Sequence, residues 1–278
     1  MNEILEIRIN YDYANLLFES DDGKNVGTSV RIVELSTKDP RCAQIPIIDH
    51  ELKLKYGKRF FFGWRIKRKY NSKELDAAEL LHLKFNTVFD PSGEECGTLY
   101  DELYACEICG ANRKQVGPLV LKKGTIPLKD VAKTISGEIV VSQKFVDVTL
   151  FCGLRGIAFQ PIYYSQMVSE YYQLICTTQI NLSPKTVVGI NPFDLSTCNE
   201  GEIYKCPNGD TIGLNLLSEP YVTKENWTMG YDFLFSKQKI GVKRGFLRPE
   251  PIYFCSPTFK KIIVKERITG FEFERANV

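Results

Sequence analysis

Residues Leu119–Phe159 read LVLKKGTIPLKDVAKTISGEIVVSQKFVDVTLFCGLRGIAF, and Phe233–Phe273 read FLFSKQKIGVKRGFLRPEPIYFCSPTFKKIIVKERITGFEF. Laid over each other without a gap, the stretches keep a spacing of 114 positions. Leu119, Leu121, Lys123 and Ile126 fall on Phe233, Phe235, Lys237 and Ile240. Ser142, Phe145, Val148, Leu154, Gly156 and Phe159 fall on Ser256, Phe259, Ile262, Ile268, Gly270 and Phe273. Identity is low, yet apolar character, a serine ahead of a helix-like run and a glycine ahead of a closing strand all recur. This predicts an α+β fold of two related strand–helix–strand halves, an internal duplication, with an extra N-terminal β-rich segment. The alternative is that strand–helix–strand units look alike whatever their origin.

Local signals inside the halves agree with that reading. Ser142 is the N-cap of a helix in which Phe145, Val148 and Thr149 or Cys152 recur three or four apart, and Gly153 suits its C-terminal end. Ser256 is the second cap, and Pro257 takes the first helical position, where its missing N–H costs nothing. Phe259, Ile262 and Ile263 continue that stripe. Working outward, the chain divides into an N-terminal segment (1–95), a first repeat (96–165), a connecting segment (166–232) and a second repeat (233–278). In the first of these, Leu5–Ile9 and Ser29–Val33 alternate as strands. Phe60, Phe62, Trp64 and Ile66 are expected on one side of another strand, with Arg59, Phe61, Arg65 and Lys67 opposite. A helix capped by Ser72 is expected to carry Leu75, Ala78, Leu81 and His82 along one stripe.

With 278 residues, 44% apolar and 25% charged, the chain can bury one large core or two ordinary ones. No apolar run approaches the ~20 residues of a membrane helix. Met1–Glu6 carries two acids and lacks the basic and apolar regions of a signal peptide. Nine cysteines at irregular spacing argue against a disulfide framework and for a reducing, cytoplasmic compartment. Of these, Cys152, Cys176 and Cys255 have apolar neighbours and read as small core hydrophobes.

Chemistry concentrates in Cys106-Glu107-Ile108-Cys109-Gly110, which has the form of a zinc knuckle: a turn aims both sulfurs at one metal. Redox exchange is the other use of such a pair, but no helix-like run follows it. A tetrahedral site needs four ligands, and Cys198 and Cys206 lie in a polar segment where core burial explains them poorly. The set Cys106, Cys109, Cys198 and Cys206 is therefore the candidate site for a structural Zn2+. A degenerate site without metal and unrelated free thiols are the alternatives. Cys206-Pro207-Asn208-Gly209-Asp210 has the look of half a second knuckle. The two histidines offer little to catalysis: His82 reads as a satisfied core residue and His50 as a surface one. No GxSxG, HExxH, Walker or GxGxxG motif is present. An enzyme is not expected.

Net charge is +2, but Lys53–Lys73 holds nine basic residues and no acid. Lys58, Arg59, Arg65, Lys67 and Arg68 are candidate partner-binding residues there. Interleaved aromatics give the run the composition of a nucleic-acid ribbon. The favoured reading of the same residues is a strand with its aromatics inward and a solvated basic face, and a docking face for an acidic protein partner is a third.

The Cys-x-x-Cys-Gly knuckle, Tyr204-Lys205-Cys206-Pro207-Asn208-Gly209, and the Ser-x-x-Phe helix leading into Leu154–Phe159 resemble bacterial double-CXXCG-motif immunity proteins. Those accompany polymorphic or contact-dependent toxins. The resemblance spans roughly Tyr104 to Phe273, with one departure: Gly209 stands where a second cysteine belongs. It implies a non-catalytic protein that neutralises one cognate toxin by direct binding, with a structural zinc site. Inhibitors of basic nucleases are usually acidic, so a net charge of +2 points to a toxin of another kind. The rival readings are a nucleic-acid-associated module using residues 53–73 and an enzyme on an unrecognised fold.

Overall fold

A computed structural model describes residues 1–193, 204–224 and 230–278. Backbone contacts divide the chain into two units, one of Met1–Glu74 joined by 189–193, the other running from Leu75 to Val188 and on through the remaining described residues.

The first unit comprises β1 (Asn2–Asn10), β2 (Lys24–Val26), β3 (Val30–Ser36), α1 (Ile45–Tyr56) and β4 (Phe61–Lys69), and the short α2 (Ser72–Asp76) runs across its end at Glu74. Its strands form an antiparallel sheet in the order β2-β3-β1-β4. Period-two alternation puts Leu5, Ile7 and Ile9 on one face, where they bury against Val33, Leu35, and Ile45 and Leu52 of α1. Gly57 ends α1 in the left-handed region, with φ 62°.

Three expectations differ from the structure here. The pairing of β1 with β4 shifts between Arg8 and Ile9, a bulge that reverses the inside–outside order of β4 at its start. Phe61, Trp64 and Ile66 pack on the core while Phe62 is 58% exposed. The basic run is also not one ribbon, because Lys53 and Lys55 belong to α1 and neighbouring strands supply the missing acids. Lys67 Nζ lies 2.5 Å from Glu6 and 2.7 Å from Glu34, and Arg68 Nε donates to Glu3 at 2.7 Å. The helix expected from Ser72 to His82 stops at Asp76.

The second unit holds β5 (Leu80–Phe85), β6 (Val88–Phe89), β7 (Leu99–Asp101), β8 (Lys114–Val116), β9 (Leu119–Val120), β10 (Val131–Thr134), β11 (Ile139–Ser142), α3 (Gln143–Phe151), β12 (Ile157–Tyr164), β13 (Met167–Cys176) and β14 (Gln179–Ile180). After β15 (Val188–Gly189) come β16 (Thr211–Gly213), β17 (Asn215–Leu216), β18 (Phe233–Ile240), β19 (Glu250–Cys255), α4 (Pro257–Lys265) and β20 (Phe271–Ala276). One sheet runs β6-β10-β11-β13-β12-β9, the other β14-β18-β19-β5-β20 with β16 also on β18.

The architecture is α+β, and its two sheets share a plan. In each, an antiparallel hairpin (β10–β11 or β18–β19) leads into a capped helix and then a further strand (β12 or β20). Another strand sits between hairpin and final strand, antiparallel to both. In one sheet this is β13, which follows β12 directly; in the other it is β5, from far upstream. The central place between two partners draws Leu80–Phe85 into a strand, overriding the helical spacing of Leu81 and His82. It also moves the expected boundary near residue 95 to between Glu74 and Leu75.

The halves grip each other by equivalent contacts. Asp130 Oδ1 accepts the hydroxyl of the N-cap Ser142 at 3.1 Å, and Asp232 Oδ1 accepts that of Ser256 at 2.7 Å. The second oxygen of each aspartate reaches the opposite half, Asp130 to Thr269 N at 2.8 Å and Asp232 to Arg155 N at 3.0 Å. A Cβ at Gly156 would lie 2.1 Å from the carbonyl oxygen of Phe233, and one at Gly270 would lie 1.9 Å from that of Val131. Phe145 of α3 and Phe259 of α4 meet in a single core, ring centroids 6.4 Å apart.

The ungapped superposition therefore holds only from Ser142 and Ser256 onward. Leu119–Ile126 is not the counterpart of Phe233–Ile240: Leu119 and Val120 form β9, parallel to β12, whereas Val131 of β10 occupies the place of Phe233. The β18–β19 connection is longer than that of β10–β11, which displaces the alignment. Likeness of arrangement does not by itself establish a duplication event.

His82 lies on β5 rather than a helix, buried opposite Glu274 of β20, its Nδ1 3.5 Å from the carboxylate; Lys84 Nζ lies 2.7 Å from it. Burial opposes ionisation of Glu274, but hydrogen bonding to His82 and the charge of Lys84 outweigh it and hold the carboxyl at about 2 against an ordinary 4.5. A depressed folded-state value stabilises above the unfolded value, and the gain is lost as pH falls from about 4.5 toward about 2. Glu274→Gln is expected to flatten this part of the acid-unfolding profile, removing ~2–3 kcal/mol of its pH dependence. Phe145→Ala and Phe259→Ala should each cost ~3–5 kcal/mol in denaturant unfolding. Because the rings touch, the double variant should depart from additivity by ~0.5 kcal/mol or more.

Candidate metal centre

Three sulfurs and a carboxylate converge in the second unit: the ligand atoms of Cys106, Cys109, Cys206 and Asp210 all lie within 4.8 Å of one another. Two turns of like construction place them. The first sits at the tip of the β7–β8 ribbon, where Cys106 N donates to Ala111 O at 2.8 Å and Gly110 N to Cys106 O at 2.7 Å. In the second, Cys206 N donates to Thr211 O at 2.8 Å and Gly209 N to Cys206 O at 2.9 Å. Gly110 and Gly209 both take positive φ, 68° and 78°, which a residue without Cβ adopts freely. The second turn runs straight into β16, which pairs with β18.

Asp210 is a candidate ligand outside the set expected from the motif. The second turn places its left-handed glycine one position early, at the site of the absent cysteine, and the next residue brings in an oxygen. The signal was adjacent to Cys206 in the chain, but only the folded turn shows which way the side chain points. Cys198, expected as the fourth ligand, lies outside the described residues.

The surroundings of Cys106 favour anionic sulfur. Backbone N–H groups of Cys109 and Ile108 aimed at Cys106 lower its thiol pKa, the first being the strongest influence, and Asn208 Nδ2 lies 3.5 Å from the same sulfur. Cys206 Sγ is 3.5 Å from Cys106 Sγ. Burial pushes the Cys109 thiol up, against the Thr211 hydroxyl and the Ala111 N–H, which pull it down. Among the described residues that hydroxyl is buried without a nitrogen or oxygen partner. Asn112, with φ 69°, donates through Nδ2 to Asp210 at 2.6 Å and accepts from the Lys239 ammonium through Oδ1. Lys239 also donates its backbone N–H to Asp210 O at 2.8 Å.

These residues fit a divalent, thiophilic ion. Around zinc, Zn–S bonds of about 2.3 Å and Zn–O bonds of about 2.0 Å put ligand atoms some 3–4 Å apart, which the cluster reaches with small adjustment. Three thiolates and a carboxylate exceed a divalent charge by two, and Lys239 lies close enough to temper the excess.

The other candidates are dispersed. Lys58 and Arg59 are exposed ahead of β4 and Arg65 is exposed upon it, while Lys67 and Arg68 are engaged with acids of their own sheet. His50 is exposed on α1. Cys255 is fully buried in the core with its thiol pushed up, while Cys176 is only partly buried at the core's edge, its thiol lifted by desolvation to about 12. Cys152 departs from expectation, being exposed at the C-terminal end of α3.

No protein-family model matches the chain, and no curated protein is significantly similar to it. Among the described residues, no helix is long and apolar enough to cross a membrane.

Reduced protein is expected to take up one Co2+ per chain with the absorption of a tetrahedral thiolate complex. Cys206→Ser should abolish that spectrum and Asp210→Asn should weaken the binding at least tenfold. Failure of the reduced wild type to bind stoichiometrically would remove the metal centre.

Proposed function

We propose that this chain is a non-catalytic binding protein of the bacterial toxin-immunity type, with its two knuckle turns pinned together by a structural zinc ion. The observation that carries the reading is the cluster of Cys106, Cys109, Cys206 and Asp210. The resemblance to double-CXXCG immunity proteins rests on paired knuckles, and its weakest point was the glycine at 209. An oxygen ligand at the following position supplies what that departure took away. Zinc suits the donor set because it accepts mixed sulfur and oxygen in tetrahedral geometry without redox chemistry. A closed set of four protein ligands is the pattern of structural sites and leaves no position for substrate.

Under this reading the metal ties the β7–β8 arm to the strand β16, joining residues a hundred positions apart. Such a link contributes folding energy directly. The nucleic-acid alternative is weakened by the acids that Lys67 and Arg68 meet in their own sheet. It retains the exposed Lys58 and Arg59, which would serve a phosphate backbone only with a salt-sensitive affinity.

Two measurements test the parts separately. Cys106→Ser with Cys109→Ser should lower the melting temperature by several degrees and remove zinc from the purified protein. Co-expression with the polymorphic-toxin domain encoded next to this gene should restore growth, and the two proteins should copurify. A neighbouring gene with no toxin domain, or a toxin domain that kills regardless of this protein, would defeat the immunity reading while leaving the zinc site standing.

A further inference from the structure

A cavity of about 450 Å³ opens in the second unit beside the cysteine cluster, walled by the β7–β8 arm, the β10–β11 turn, β13 and the β18–β19 hairpin. Its volume falls within the roughly 300–1,000 Å³ of small-molecule sites. Three cations line it, Arg113, Lys239 and Arg248, against two carboxylates, Glu138 and Glu250. Both acids are already engaged. Glu138 accepts the hydroxyls of Tyr100 and Thr134, and Glu250 pairs with Lys133.

The cations are less completely served. Arg113 stacks on the Tyr100 ring, 3.8 Å from its centroid, and pairs with Glu94 and Glu102. Arg248 sends one terminal nitrogen to the carbonyls of Gly245 and Leu247 and the other to Glu102 at 3.4 Å, and among the described residues its buried Nε–H has no hydrogen-bond partner. Lys239 is half-buried, and among the described residues its ammonium meets only the Asn112 amide oxygen, with no carboxylate in ion-pair range. An ammonium without a carboxylate partner on a cavity lining, next to a second cation, is a place for an anionic ligand. Phe235 and Tyr253 supply flat apolar surface on the same lining.

We propose that this cavity binds a small planar anion, an aromatic carboxylate or aryl phosphate, whose charged group meets Lys239 and the Arg248 side chain on the lining while its ring lies against Phe235 and Tyr253. Asn112 links Lys239 to Asp210, so the cysteine turns hold one of the two anion-binding groups in place. The ligand site is independent of the toxin-binding reading, and neither result decides the other.

Isothermal titration of the full-length reduced protein tests it, with benzoate and phenyl phosphate as probes and acetate, inorganic phosphate and benzamide as controls. One-to-one saturable binding is expected for at least one ring-bearing anion, at least tenfold tighter than for its ringless anion and for benzamide. The arm that binds tells carboxylate from phosphate. Lys239→Gln and Arg248→Gln should each weaken binding tenfold or more, while Lys261→Gln, exposed on α4, should leave it unchanged. Arg248 also ties its own loop, so if that variant melts early, Lys239→Gln with a matched melting temperature decides alone. Absence of saturable binding by both ring-bearing anions, equal binding of benzamide, or indifference to Lys239→Gln would overturn the assignment.

Discussion

Two aspartates standing just ahead of their hairpins, Asp130 and Asp232, set the geometry on which the larger unit depends. Each gathers the N-cap serine of its own helix with one oxygen and a backbone N–H of the opposite half with the other. One carboxylate thus fixes where a helix starts and where the facing half begins its last strand. Ionised acceptors make the stronger kind of hydrogen bond, and partial burial raises the penalty for leaving them unpaired. Burial opposes ionisation of Asp130, yet the Thr269 and Ser142 donors still hold its carboxyl below the usual range. The paired glycines follow from the same contact, since at 156 and 270 any Cβ would drive into a carbonyl of the other half. With the seam closed there, Phe145, Phe259, Phe233 and Phe271 have one core to fill.

Function is sought in what the halves do not share. The β7–β8 arm and the turn before β16 lie outside the common plan, and they carry all four ligand-type residues of the candidate metal centre. The longer β18–β19 hairpin supplies Lys239 and the approach to Arg248, both on the neighbouring cavity. The shared plan behaves as scaffold: its caps, glycines and aromatics are used in packing, and His82 on the inserted β5 is matched with Glu274 inside a sheet. A rigid frame carrying variable additions is the usual way for a fold to acquire a site without disturbing its core.

By itself the sequence determined what depends on neighbours along the chain. Ser142 and Ser256 cap helices because the N–H groups they satisfy are three residues away, and Cys106-Glu107-Ile108-Cys109-Gly110 turns because its hydrogen bonds close within six residues. The mixture of helix and strand and the alternation of β1 were legible for the same reason. Tertiary structure alone decided whatever needs a partner remote in the chain. Leu80–Phe85 became a strand because two strands flank it, Phe62 turned outward at a bulge set by pairing with β1, and Lys67 lost its apparent freedom to Glu6 and Glu34. Asp210 joined three cysteines through the direction of one turn, and Asp130 and Asp232 found their places across a seam no local pattern records. Capping and periodicity act over a few residues, whereas pairing, ion contacts and ligand convergence depend on topology.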